Sequence, residues 1–367
     1  MCPRKLVDTT HASLRRWVQQ RSRSLCVGSL VTVNERHVLV SVVIPAYNAA
    51  QWVSKTIESV LNQTHNELEI VLVDDGSTDR TVEVARNSLQ QGRVPYRILR
   101  QPNAGAAGAR NRGWQVAQGE WIQFLDADDL LDPRKIELQV AQVSAEEAAD
   151  VVYADWQKLV YSGSQWIGFD FRSPELGIDP IAEILSDRNF LQLGCLLFKT
   201  STLSAAGGFD QSHEPIEDVG LCVKIAIAGG KFVKARSSGP MSSYRDLPRS
   251  FSKINHRRFI ESCVRNAKLA ERYVRDTPGS SPRVIESIVD VYYSAARYFA
   301  GYDWSKFEEV VADIEALQPA FVPKYPAQVH VLSRIAGYRT AERLAVLYRK
   351  GKNIGAGLWH RKRASEW

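Results

Sequence analysis

A chain of 367 residues has room for two domains and a sizeable core, and 44% hydrophobic with 24% charged residues is ordinary globular composition, excluding collagen-like, disordered and disulfide-scaffold classes. The net charge of +6 sits at the ends: residues 1–40 carry seven Lys or Arg against Asp8 and Glu35, and residues 331–367 carry nine against Glu342 and Glu366. The central body is therefore acidic, which excludes a nucleic-acid-binding face on the main domain.

In chain order, residues 1–37 read as a basic N-terminal extension with no apolar stretch of signal-peptide length, so export by that route is not expected. No run anywhere approaches the roughly 18 apolar residues of a spanning helix. Cys2, Cys26, Cys195, Cys222 and Cys263 are odd in number and never paired as CxxC, which fits a reducing, cytoplasmic compartment. The basic ends read either as solvated tails or as peripheral attachment to the anionic inner face of a membrane, where each basic residue contributes on the order of 1 kcal/mol.

From residue 38, short runs rich in Val, Ile, Leu and aromatics alternate with helical spacing. The runs 38–44, 68–73, 95–99, 120–125 and 150–155 predict five strands. Trp52, Val53, Ile57, Val60 and Leu61 predict a helix with Asn48 as its N-cap; Ser77 or Thr78 is expected to cap a second helix ending at Gly92, and a third should run from Ala106 to Gln118. Strand and helix in alternation predict an α/β fold with a mostly parallel, twisted sheet flanked by helices. A main domain over 38–250 divides into halves 38–130 and 131–250. Residues 251–367 should form a helical C-terminal region with a basic tail, its helices spanning 254–274, 284–299, 304–317 and 329–348.

Ligands of open α/β sheets sit beyond the carboxyl ends of the strands. There the chain places Pro45-Ala46-Tyr47-Asn48, Asp74-Asp75-Gly76-Ser77-Thr78-Asp79 and Asp126-Ala127-Asp128-Asp129, with Asn103 to Asn111 ahead of the third helix. Acidic pairs on adjacent strand ends repel unless a hard divalent cation joins them, so Mn2+ or Mg2+ bridging to nucleotide phosphates is expected. Ser77 to Asp79 read as a turn and helix cap, leaving Asp74 and Asp75 as base readers.

IPAYN, VDDGSTD, NAGAAGARN and FLDADD, in this order, resemble the nucleotide-sugar half of the family 2 glycosyltransferases of GT-A fold, a resemblance covering roughly residues 39–250. It implies that Pro45, Ala46 and Tyr47 line a nucleobase pocket with Asn48 beside them, that Asp75 accepts from the base, usually uracil, and that Arg110 and Asn111 lie against the donor. It further implies that Asp126, with Ala127, meets the ribose or sugar while Asp128 binds the metal. The Glu217-Asp218 pair after Gly207-Gly208-Phe209-Asp210 matches the family's ED pair, which assigns the catalytic base to Asp218, with Glu217 and Gly194 on the acceptor side. Cys195 reads as packing, and none of the seven histidines has zinc-site spacing.

One departure stands out. The family often continues with Tyr-Arg-x-His, and the expected histidine is Leu247, leaving Asp246, or Arg245 and Arg249, to take its part. The implied reaction is an inverting transfer of a sugar from a nucleotide-sugar, UDP-linked, to a hydroxyl of a saccharide, lipid-linked or protein acceptor. The alternatives are a non-catalytic sugar-binding or scaffold relative, a sugar-nucleotidyltransferase, for which a glycine-rich loop with Arg and Lys after the first strand is missing, and a DxD phosphatase, which lacks a nearby Thr or Lys. Trp156, Trp166 and Phe169, in loops expected over 156–180, are left as sugar-stacking or packing residues.

Overall fold

The computed structural model describes residues 37–145, 148–162, 165–186, 189–247 and 255–349. The N-terminal extension to residue 36, Arg249, and the tail with Trp359 and Trp367 lie outside the described residues, and with them most of the basic-end reading. Among the described residues no helix is long and apolar enough to cross a membrane.

The five expected strands form as β1 (Val40–Ala46), β2 (Leu68–Asp74), β3 (Tyr96–Arg100), β4 (Trp121–Phe124) and β6 (Val151–Tyr153), separated by the two-residue β5 (Leu130–Leu131). With β9 (Leu196–Lys199) and β10 (Phe232–Lys234) they make a seven-stranded sheet in the order β10-β6-β9-β4-β1-β2-β3, parallel except for β9. Burial on both faces explains the uninterrupted apolar runs. Val42, Ile44, Ile70 and Leu72 pack against Val53, Ile57 and Val60 of α1 (Val53–Leu61) and Leu89 of α2 (Thr81–Leu89). Val43, Val71, Val73, Ile122 and Phe124 join the opposite core with Ala107 and Ala109 of α3 (Gly105–Val116). Each such fully buried Val or Ile contributes about 1.5–3 kcal/mol.

A second, four-stranded sheet, β5-β11-β7-β8, is built from β7 (Trp156–Ser162), β8 (Gln165–Arg172) and β11 (Ser242–Arg245). The stretch read as loops over 156–180 is therefore largely a hairpin, whose outer strand is exposed and so lacks the buried apolar run that marks a strand. Helices α4 (Lys135–Ala145), α5 (Pro180–Leu185), α6 (Thr200–Ala205) and α7 (Glu217–Ile227) complete the α/β body. The C-terminal helices are α8 (His256–Asp276), α9 (Pro282–Tyr302), α10 (Trp304–Leu317) and α11 (Ala327–Ala336). The helix expected over 329–348 is broken because Gly337 takes φ +77°, a left-handed C-cap, before helix resumes at 338.

Two caps differ from expectation. Asn48, at φ +48°, does not cap α1; its carboxamide oxygen accepts from the Thr78 amide at 2.9 Å. The amide of Thr81 at the start of α2 donates to Asp79 Oδ1 at 2.9 Å, so Asp79 rather than Ser77 or Thr78 holds that end.

Gly113 lets α3 lie close on the sheet: a Cβ there would stand 2.3 Å from Val43 Cγ1 and 3.3 Å from Val73 Cγ2. Valine is stiff at χ1 and Val43 is in the central strand, so the neighbour cannot swing away. Gly113→Ala should therefore cost about 1–3 kcal/mol by overpacking, offset by at most about 1 kcal/mol of helix propensity. A lower urea midpoint at unchanged m-value is the expected reading; a raised midpoint contradicts the packing.

Candidate active site

The cleft lies where the parallel strands end. The loops after β1 and β2 interlock: the Asn48 amide donates to Ser77 Oγ at 3.0 Å and the Ala50 amide to Asp79 Oδ2 at 3.1 Å. Pro45 and Ala46 close β1, Ala46 being buried, and Tyr47 beyond them is 53% exposed. Asp74 is wholly buried and accepts from the Ser77 amide at 3.3 Å and Arg100 Nε at 3.2 Å. Asp75 accepts from Gln101 Nε2 at 2.7 Å and from the amides of Ala104 and Gly105 at 2.9 and 3.0 Å. Its carboxylate thus stands at the positive N-terminus of α3. Both carboxylates expected to read a base are engaged by protein donors, because the glycine-bearing loop folds back onto them.

The turn after β4 is held from α1, where Thr56 Oγ1 lies 2.9 Å from the carbonyls of both Ala127 and Asp129. Ala127 is buried between two partly buried carboxylates, Asp126 and Asp128. Burial and the neighbouring Asp126 push Asp128 up to about 6. Asp129 is buried and raised further by burial and both neighbours; it accepts from the Arg245 amide at 2.9 Å and Gln192 Nε2 at 2.8 Å.

Arg110 is buried on α3, with Nη2 2.6 Å from Asp126 Oδ1 and Nη1 on Glu217 Oε1. Burial opposes its charge, but Asp126 and Glu217 outweigh that and hold the guanidinium protonated. Glu217 opens α7, so this one cation ties the aspartate turn to the helix carrying Asp218. Asp218 accepts from the Val219 amide at 2.8 Å and is pushed up to about 7 by burial and by Glu217. Asn111 is not free toward the cleft: its oxygen accepts the Phe209 amide at 2.9 Å and its nitrogen donates to the Phe209 carbonyl at 2.8 Å. The Gly194 carbonyl accepts from Gln123 Nε2 at 3.1 Å, fixing the segment ahead of β9 from below. Cys195 is fully buried, its thiol pushed up to about 12 by burial, as a packing residue.

The aromatic residues separate by environment. Trp156 is buried with its indole N–H on the Phe190 carbonyl at 3.0 Å, Phe169 is 74% exposed, and Trp166 meets Trp52 edge-on at a centroid distance of 5.9 Å. The Arg245 guanidinium lies 5.5 Å from the Trp52 ring and 5.8 Å from Trp166, and its Nη1 donates to the Asp128 carbonyl at 2.6 Å. Its buried Nε has no acceptor among the described residues. Near Leu247, Arg245 is thus a second cation, after Arg110, that reaches the aspartate turn.

Residues 41–168 match the family model for glycosyl transferase family 2. Over that stretch the chain is similar to the family 2 glycosyltransferases. The matched stretch includes both β1 and the Asp126 to Asp129 turn, whereas Glu217 and Asp218 lie beyond it. The chain is 30% identical over 204 residues to a chondroitin synthase of Pasteurella multocida, covering 54% of this chain and 20% of that protein. It is 40% identical over 149 residues to the glycosyltransferase GlyG of Streptococcus pneumoniae, covering 39% of this chain and 48% of GlyG. The chain therefore spans between a fifth and about a half of the length of these two relatives.

Its fold is that of GT-A transferases. Staphylococcus aureus TarS residues 1–349, solved with UDP, superposes with a TM-score of 0.61 at 18% identity over 85% of this chain and 92% of that one. The mannosyltransferase PcManGT of Pyrobaculum calidifontis, solved with GDP-Man and Mn2+, gives 0.54 at 17% identity over 93% and 96%.

Two contributors carry no motif signal. Glu214 accepts from the Ala107 amide at 3.0 Å in the first turn of α3, and Gln192 binds Asp129. A lone Glu or Gln between elements gives no pattern to read; only the glycine-rich helix start, which favours an anion, hints at Glu214.

Proposed function

We propose that this family 2 glycosyltransferase moves a sugar from a UDP-sugar to an acceptor hydroxyl in one inverting displacement. The observation that carries the reading is the single buried Arg110 bridging Asp126 of the aspartate turn to Glu217, next in sequence to Asp218. Tyr47, exposed at the end of β1, offers a ring for the base, and the relatives solved with UDP, UDP-GlcNAc and GDP-Man support a nucleotide-sugar as donor.

The donor set suits Mn2+ or Mg2+. Asp126 and Asp128 offer only hard carboxylate oxygens, and burial with mutual repulsion raises Asp128, a strain that a cation relieves. Among the described residues no three metal-ligating side chains cluster, which fits an ion that takes one or two carboxylates and completes its shell with phosphate and water. Bound there by Asp128, the ion would neutralise charge on the diphosphate. Arg245, held beside the same turn, adds a fixed positive charge where the family's histidine is replaced by Leu247. Asp218 takes the proton from the acceptor hydroxyl as that oxygen attacks the anomeric carbon, and UDP departs on the opposite face.

Calorimetric titration of UDP in the presence of Mn2+ tests the donor side. Asp128→Ala should weaken UDP by about 10- to 100-fold, the loss of one charge-assisted contact. Equal affinity in wild type and Asp128→Ala removes the metal role from this residue.

A further inference from the structure

Outside the cleft, α8 presents Arg265, Lys268 and Arg272 at i, i+3 and i+7, one face of a helix. With His213 and Glu271 they line an open cavity of about 390 Å³. Three cations face one carboxylate there, and that carboxylate is already engaged, with Glu271 2.5 Å from both Arg275 Nη2 and the Tyr292 hydroxyl. Lys268 is partly neutralised by Asp313 at 2.7 Å. Among the described residues Arg265 and Arg272 have no carboxylate partner, and the buried Arg265 Nε has no acceptor.

The cavity is also preorganised and joined to the transferase machinery. Arg265 Nη2 donates to Ser262 Oγ at 2.7 Å, and Ser262 in turn donates to the Glu214 carbonyl at 2.7 Å. His213 Nδ1 bonds Asn266, whose Nδ2 donates to the Ile216 carbonyl at 3.0 Å, just ahead of α7. Asp210 Oδ2 lies 3.7 Å from His213 Nε2.

We propose that this cavity is a phosphate-ester subsite, in which the guanidiniums of Arg265 and Arg272 that line it grip a phosphate group carried by the acceptor. Guanidinium forks match phosphate oxygens bidentately, and two of them with Lys268 suit a dianion better than a single-charged carboxylate. The volume also admits the sugar or polyol attached to the phosphate. The acceptor role rests on the reading of α7 as the acceptor side; the binding does not.

The test is calorimetry on the full chain, with UDP and Mn2+ saturating the donor site, titrating glucose 6-phosphate, glucose and glucuronate. Glucose 6-phosphate should bind and glucose should not. Arg272→Gln, at an exposed position that does not threaten folding, should weaken glucose 6-phosphate by about 10-fold or more, and Arg265→Gln likewise. Glucose 6-phosphate binding that survives both substitutions, or fails in wild type, overturns the subsite, and glucuronate binding as tightly overturns its assignment to phosphate. Loss of UDP binding with glucose 6-phosphate binding intact counts against the donor reading alone.

Discussion

Asp218→Asn should lower sugar transfer by about 10²–10⁴-fold while UDP affinity stays within a factor of two or so, because a general base acts in the transition state and not on the bound donor. Asparagine keeps the size of the side chain and its acceptance of the Val219 amide, so the fold at the start of α7 is preserved. The base works only when ionised, and burial with Glu217 alongside raises Asp218 to about 7. Transfer by the wild type should thus climb with pH and level off above about 7, whereas residual transfer by Asp218→Asn should lack that limb. The stability linkage has the opposite sign. An aspartate whose folded pKa lies above its unfolded value of 3.8 binds more protons when folded, so between about 4 and 7 its contribution to stability declines as pH rises. Measuring released UDP across that range in both proteins decides the matter: equal rates, or a shared pH limb, assign the proton acceptor elsewhere.

Arg110→Ala should be the most destabilising single change among the residues described, by about 3–5 kcal/mol, since it strands two carboxylates around a vacated buried position. The Arg110–Glu217 pair is largely dehydrated, with Arg110 only 6% exposed and Glu217 4%, whereas Asp126 keeps access to water. Arg110→Met combined with Glu217→Gln should recover part of the loss, because it removes charge on both sides rather than one. Urea unfolding of the single and double variants supplies the comparison; a single variant within about 1 kcal/mol of wild type means the ion pairs carry little.

The parallel strands were readable because burial on both faces demands nearly continuous apolar runs, as in LEIVLV at 68–73, where only Glu69 interrupts the pattern. Strand β8 was not, since Phe169 and Phe171 stand exposed among polar neighbours and give no buried face. At the site, the acidic clusters after the strands marked the cleft by residue type alone. What the clusters do individually depended on partners far along the chain: Asn111 looked like a donor contact until the Phe209 backbone, 98 residues away, took both ends of its carboxamide. Caps failed for a related reason. Asn48, Ser77, Thr78 and Asp79 are all capable, and the mutual binding of two loops, not local spacing, selects among them.

Three neighbouring positions of α3 are fastened to the segment 209–217: Ala107 to Glu214, Arg110 to Glu217 and Asn111 to Phe209. Swinging the two halves apart about a hinge would rupture all of these links together, several of them buried and charged. The two halves are therefore expected to move as one body at this seam.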